Sequence, residues 1–168
     1  MVETEYTDPL ARPRDGREAM LMRLGGLAFA VYADECEGVE RWSEPAPLPH
    51  APAPVLGVVL VRGRMRTVIH PARLFESLGL DFEHKAGECA FTASLAGDEQ
   101  LALAFDTAGH VPVTPGYLDA PPESPALPVR ATFRRDGETV YLLDPARLFE
   151  AAMSGTERRR QRAVNLEP

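Results

Sequence analysis

His50, His70, His84 and His110, with Cys36 and Cys89, are the only imidazole and thiol donors in this 168-residue chain. A zinc site draws such residues from closely spaced pairs, and these six show no such pattern. Asp106 and Asp144 are the carboxylates nearest to strand ends and could serve general acid–base chemistry in a small hydrolase or transferase, but turn and capping roles account for both. Ser94 and Ser154 stand in no nucleophile motif. Gly25-Gly26 lacks the later glycine or lysine of a phosphate loop. Residue types and spacing therefore assign no catalytic residue, cofactor or metal. One polar constellation remains: Arg62-Gly63-Arg64 puts guanidinium groups on a tight turn, where they are either solvated or placed to grip carboxylates of an acidic partner.

The elements that would carry that turn are written twice. Pro71-Ala72-Arg73-Leu74-Phe75-Glu76 recurs unchanged from Pro145 to Glu150, an offset of 74 residues. The same offset carries Leu27–Val31 onto Leu101–Phe105, Pro54-Val55 onto Pro128-Val129, Val39 onto Val113 and Gly63 onto Gly137. Several landmarks at one ungapped offset indicate a duplicated supersecondary unit. The offset requires Phe29 and Leu103, Ile69 and Leu143, and Leu74 and Leu148 to face inward as equivalent pairs.

Each unit reads as five short strands and a terminal helix. Met20–Leu24 and Leu27–Tyr32 flank a Gly-Gly hairpin turn, a third strand runs near 38–43, and Pro45 to Pro54 cannot donate into a ladder and must be loop. Val55–Val61 and Met65–Ile69 flank the Arg62-Gly63-Arg64 turn, and Pro71 opens a helix behind His70. The second unit repeats the order: strands at 90–95, 100–105 and 110–114, a proline-rich loop, strands at 129–134 and 140–143 about Asp136-Gly137, and a helix from Pro145 behind Asp144, the better cap. The pattern predicts an all-β chain with short helices, in two small antiparallel barrels. The expected boundaries are a flexible leader over 1–18, a first unit over 19–86, a second over 87–153 with possible exchange of strands, and a polar basic tail over 154–168.

Charge narrows the class of partner. The chain carries a net charge of −7, with pI near 5.1, and without the tail from Glu157 onward it carries −9. Nucleic-acid binding wants the opposite sign. No run of about 18 apolar residues is present for a membrane span, and two cysteines at non-equivalent positions suit a reducing cytoplasm.

The stretch Leu56-Gly57-Val58-Val59-Leu60-Val61-Arg62-Gly63-Arg64-Met65-Arg66-Thr67-Val68-Ile69-His70-Pro71 resembles the CheW-like coupling domains of bacterial chemosensory arrays. The apolar opening from Met20, Val39-Glu40, the prolines before Val55 and the closing Leu142-Leu143-Asp144 extend the resemblance over about 19–153. It implies a non-enzymatic adaptor of two Src-homology-3-like barrels, with no cofactor, joining chemoreceptor tips to the regulatory domain of a CheA-type histidine kinase. Its place would be the cytoplasm, held near the membrane only through receptor arrays. Carried onto this chain, the resemblance puts partner contacts at Val39, Arg41, Trp42, Val58, Leu60, Arg62 and Gly63. The chain departs from the family pattern at Leu60, where Asn is usual, at Arg41, where a glutamate is common, and at His70-Pro71, where Asp-Leu is usual. Such a surface would suit a dedicated array, such as one serving pilus motility, or a scaffold that has lost one partner.

Overall fold

Local turn chemistry sets the hairpins, as a computed structural model shows for residues 16–154. Strands β1 (Arg17–Leu24) and β2 (Leu27–Tyr32) meet at Gly25-Gly26, with Leu24 opposite Leu27. Strands β4 (Val55–Val61) and β5 (Arg64–Ile69) close on Arg62-Gly63, and β9 (Val129–Arg135) and β10 (Glu138–Leu143) close on Asp136-Gly137. All four turn residues have positive φ, 51°, 80°, 52° and 77°, the geometry whose twist matches that of paired strands. The loop is thus two residues long, and Arg64 is already in β5, opposite Val61.

The remaining strands are β3 (Cys36–Arg41), β6 (Phe91–Leu95), β7 (Leu101–Phe105) and β8 (Thr107–Val113). Three expectations shift. β1 begins at Arg17, inside the expected leader, because Arg17 pairs across to Val113 while its guanidinium lies 3.6 Å over the Tyr32 ring and bonds Asp34. β3 starts and ends two residues early: a 3-10 turn at Ala33–Glu35 delivers Cys36 directly opposite Leu95. β8 starts at Thr107, with only Asp106 between it and the end of β7. The rest of the expected leader, 1–15, and the tail from 155 lie outside the described residues.

Two five-stranded sheets result, sheet 1 in the order β8-β1-β2-β10-β9 and sheet 2 in the order β3-β6-β7-β5-β4. Each draws strands from both sequence units, so strands are exchanged between the units expected over 19–86 and 87–153. The joints are two parallel ladders, β2 with β10 (Tyr141 opposite Phe29) and β5 with β7 (Thr67 to Ile69 opposite Leu101 to Leu103). Among the described residues neither sheet is closed by a ladder between its edge strands. Each far edge receives only one bridge from the proline-rich loop, Ala46 to Val58 and Asp119 to Thr132.

The sequence offset holds inside the core. Phe29, Leu103, Ile69, Leu143, Leu74 and Leu148 are all fully buried in one cluster that runs through both sheets. A second cluster, including Leu21, Ala30, Phe133 and Leu142, belongs to sheet 1 alone. Sheet 2 instead buries the three polar residues Arg66, Thr92 and Ser94.

Helix α1 (Pro71–Ser77) follows β5, and helix α2 (residues 145–154) follows β10. Both start on a side-chain cap. Asp144 Oδ1 accepts from the Ala146 N–H at 3.2 Å, and His70 Nδ1 accepts from the Arg73 N–H at 3.2 Å. Only a neutral imidazole can accept there. Burial, assisted by the Arg73 charge, lowers the His70 pKa to about 4.

Two outcomes follow. Residues 1–86 expressed alone keep β2 and β5 but lose their parallel partners β10 and β7, so they should give no cooperative melt, and co-expression with 87–168 should restore one. For His70, the unfolded chain takes up a proton near pH 6.5 that the folded chain refuses until about pH 4. This group's contribution is therefore full above pH 6.5 and declines as pH falls through that window. His70→Asn keeps a cap without the titration, and denaturant melts at pH 7 and pH 4.5 should show a smaller loss for the variant than for the parent.

Candidate functional site

The Arg62-Gly63 turn sits at an open edge of sheet 2, and the sheet's curl brings the far edge strand to it. Arg62, 22 residues from Glu40 in sequence, bonds it at 2.9 Å across the gap between the β4–β5 hairpin and β3. Gly38 permits this approach: a Cβ there would lie 2.7 Å from the Arg62 Nη2. Arg62 therefore already has a carboxylate partner within the chain, which spacing alone did not reveal, although its side chain remains largely exposed. Deeper in the same gap, the buried Arg66 donates to the Leu95 carbonyl at 2.9 Å and to Glu37 on β3. Two arginines thus tie the β4–β5 hairpin to β3 where backbone hydrogen bonds do not.

Beside the Arg62–Glu40 tie, on the side away from Arg66, lies a cleft of about 200 Å³, walled by Glu40, Arg41 and Ser43 on one side and Val59 to Arg62 on the other, with buried Thr92 as its floor. Three of the residues singled out from sequence line it: Arg41, Leu60 and Arg62. Val39 is exposed beside it on β3, and Gly63 is exposed at the turn. Val58 is half-buried and bridged to Ala46. Trp42 lies just past β3, half-buried against the main core cluster, its backbone N–H donating to the Ala90 carbonyl. Met65 was missed. It stands opposite Leu60 in the ladder, and the two are 61% and 73% exposed, an apolar pair beside two arginines. Alternation within β5 points to it, since the buried Arg66 and Val68 lie on the other phase.

The residues considered for catalysis do not assemble. Asp106 borders a separate cleft of about 710 Å³ at the β1–β2 and β9–β10 turns, whereas Asp144 caps α2. Among the described residues no three His, Cys, Asp or Glu side chains gather as a metal site requires. Cys36 and Cys89 are free, and burial pushes both thiols up, away from the nucleophilic thiolate. No helix of the described residues is long and apolar enough to cross a membrane.

What the molecule offers is surface: two interlocked sheets that hold an apolar and guanidinium-bearing edge in fixed register, the construction of a protein-binding scaffold. The chain belongs to the CheW family, whose CheW-like domain model matches residues 18–153. Proteins of this family are non-enzymatic scaffolds of chemotaxis. Over 54 residues, 32% of this chain and 35% of the relative, it is 37% identical to the chemotaxis protein CheW of Rhizobium meliloti (strain 1021), so the match spans about a third of that protein. Its fold is similar to that of the scaffolding protein TtCheW from Thermoanaerobacter tengcongensis, with a TM-score of 0.60 at 16% identity, covering 76% of this chain and 88% of that one.

The two ties should differ in weight. Arg62→Ala breaks an exposed pair and should cost about 0.2–1 kcal/mol. Arg66→Ala leaves the Leu95 carbonyl without its donor inside the sheet and should cost about 1–3 kcal/mol. Urea melts of both variants check the order.

Proposed function

We infer that this chain couples chemoreceptor tips to a CheA-type histidine kinase, and that the edge cleft of sheet 2 is a partner-binding surface. The observation that carries the reading is the family match over 18–153 together with the exposed Val39 on β3 and the exposed Leu60 and Met65 on the β4–β5 hairpin of an otherwise acidic chain. Apolar side chains flanked by arginines favour a partner that brings apolar residues and carboxylates together. Arg62, already held over Gly38 by Glu40, loses little side-chain freedom when a second carboxylate arrives, which favours binding.

In this reading each sheet is rolled into a Src-homology-3-like barrel, with the Ala46–Val58 and Asp119–Thr132 bridges as its closing points. Val39, Arg41, Leu60, Arg62 and Gly63 meet the partner directly, while Trp42 and Val58 set the backbone behind them. The protein works in the cytoplasm and reaches the membrane only through its receptors. A scaffold that retains one partner and has lost the other is the second reading, favoured by Leu60 and Arg41 at diverged positions.

The experiment is co-sedimentation with receptor tips and kinase, run beside thermal melts. Leu60→Glu and Arg62→Glu alter exposed side chains and should shift stability by no more than about 0.5 to 1 kcal/mol. They should weaken capture of at least one partner by roughly tenfold or more, as loss of an interface anchor does. Retention of both partners by both variants, with parent-like melts, would place the coupling surface elsewhere. Loss of one partner alone would assign this edge to it.

A further inference from the structure

Glu37 and Arg66 lie behind the edge of sheet 2, and the duplication shows what else could stand there. At the 74-residue offset Val111 takes the place of Glu37 and Val140 that of Arg66, both buried in the apolar cluster of sheet 1. Sheet 2 has instead a guanidinium side chain that is 5% exposed and a carboxylate side chain that is 40% exposed. Taking such a charge out of water is costly, and apolar side chains of similar volume commonly hold a fold as well or better. Arg66 Nε, moreover, finds no acceptor among the described residues. Stability alone does not account for the pair.

The pair sits at an irregularity that sheet 1 lacks. On β3, Cys36 is opposite Leu95 and Gly38 opposite Ser94, so Glu37 is the extra residue of a bulge. In sheet 1, β8 runs along β1 from Arg17 opposite Val113 to Arg23 opposite Thr107 with no shift of register. The shift decides which side chains of β3 meet the hairpin. With it, Gly38 and Glu40 lie opposite Ser94 and Thr92, in the phase that faces Arg62, and Val39 and Arg41 are left exposed. Without it, the register set at Cys36 would put Val39 opposite Thr92 and turn Glu40 to the other face. Sheet 1 lacks the whole set, since Pro112, Thr114 and Asp136 occupy the positions of Gly38, Glu40 and Arg62.

We propose that Glu37 and Arg66 are positioning residues of the partner-binding edge: Arg66 anchors the bulge through Glu37, and the anchored bulge holds Gly38 and Glu40 against Arg62. This role rests on the reading of that edge as a partner-binding surface. The buried charge then serves to keep the Arg62 guanidinium preorganised for a partner carboxylate, at no gain in stability.

In isotope-labelled full-length protein, nuclear Overhauser contacts between the α protons of Gly38 and the side-chain protons of Arg62 report the arrangement. Co-sedimentation with receptor tips and kinase reports its use. Glu37→Val/Arg66→Met should melt at or above the parent's temperature, yet lose those contacts and capture at least one partner roughly tenfold more weakly. Glu37→Gln, whose amide oxygen can still accept from Arg66, should keep both. Glu37→Ala, made at a partly exposed position, should lose both with a lowered melt, and it decides the matter if the double variant does not fold. Gly38 to Arg62 contacts that persist in Glu37→Ala, or in a folded double variant, overturn the proposal. So does parent-like capture by a variant that has lost the contacts, where Arg62→Glu has lost capture. Parent-like capture by Arg62→Glu itself removes the partner reading of the edge, and the positioning role with it.

Discussion

The parallel ladders between β2 and β10 and between β5 and β7 are the constraint on which the rest depends. A parallel neighbour cannot come from a tight hairpin and must be brought from farther along the chain. Each central strand is paired on one side by its local hairpin partner and on the other by a strand from the opposite unit. The main core is accordingly common property: Phe29 and Ile69 from one unit pack in the same cluster as Leu103 and Leu143 from the other. The helices repeat the exchange, since α1 sets Phe75 against Tyr141 of sheet 1 and α2 lies over Val55 and Ile69 of sheet 2.

Across the open edges, where no backbone ladder joins the strands, side-chain charge makes the tie. Arg66 with Glu37 and Arg62 with Glu40 span one gap. In sheet 1, Arg130 donates to the Leu143 carbonyl and to both Glu35 oxygens. Side-chain ties hold an edge in place while leaving its apolar residues exposed, which is what a surface that must recognise a partner requires. Sheet 1 fills its inner face with Phe133, Val140 and Leu142, and sheet 2 puts Arg66 at the position equivalent to Val140. The edge that carries the candidate site is therefore also the one with a buried charge behind it.

What could be read from sequence was what neighbours in sequence decide. Gly25-Gly26, Arg62-Gly63 and Asp136-Gly137 specify their turns through local φ preferences, and Pro71 and Pro145 open helices for the same kind of reason. The offset predicted six buried residues correctly because a repeat keeps its inward phase whatever it pairs with. Strand exchange was not legible in the same way: alternation records which face of a strand is buried and carries no mark of which strand lies beside it. Arg62 with Glu40 and Arg66 with Glu37 depend on how sheet 2 curls, so no spacing rule could join them. At the site, Val39, Leu60 and Gly63 proved exposed, whereas Trp42, which periodicity left undecided, lies half against the core.

All five strands of sheet 2 lie between Cys36 and Phe105, and among the described residues the chain passes between sheets only at Ala33–Glu35 and at Asp106. Sheet 2 is thus an insertion within sheet 1: the chain enters it at one end of β6, where Cys36 lies opposite Leu95 and the Ala96 N–H donates to the Glu35 carbonyl, and leaves it at the other end, where Phe105 lies opposite Phe91. During synthesis the β1–β2 hairpin emerges first yet must wait for β8 to β10 before its sheet can form. Sheet 2 has all its strands once β7 has emerged, and pairing them fixes the span between Tyr32 and Thr107 in place of a flexible loop, which reduces the entropy lost on closing it. The order of strands along the chain therefore sets an order of assembly, inner sheet before outer.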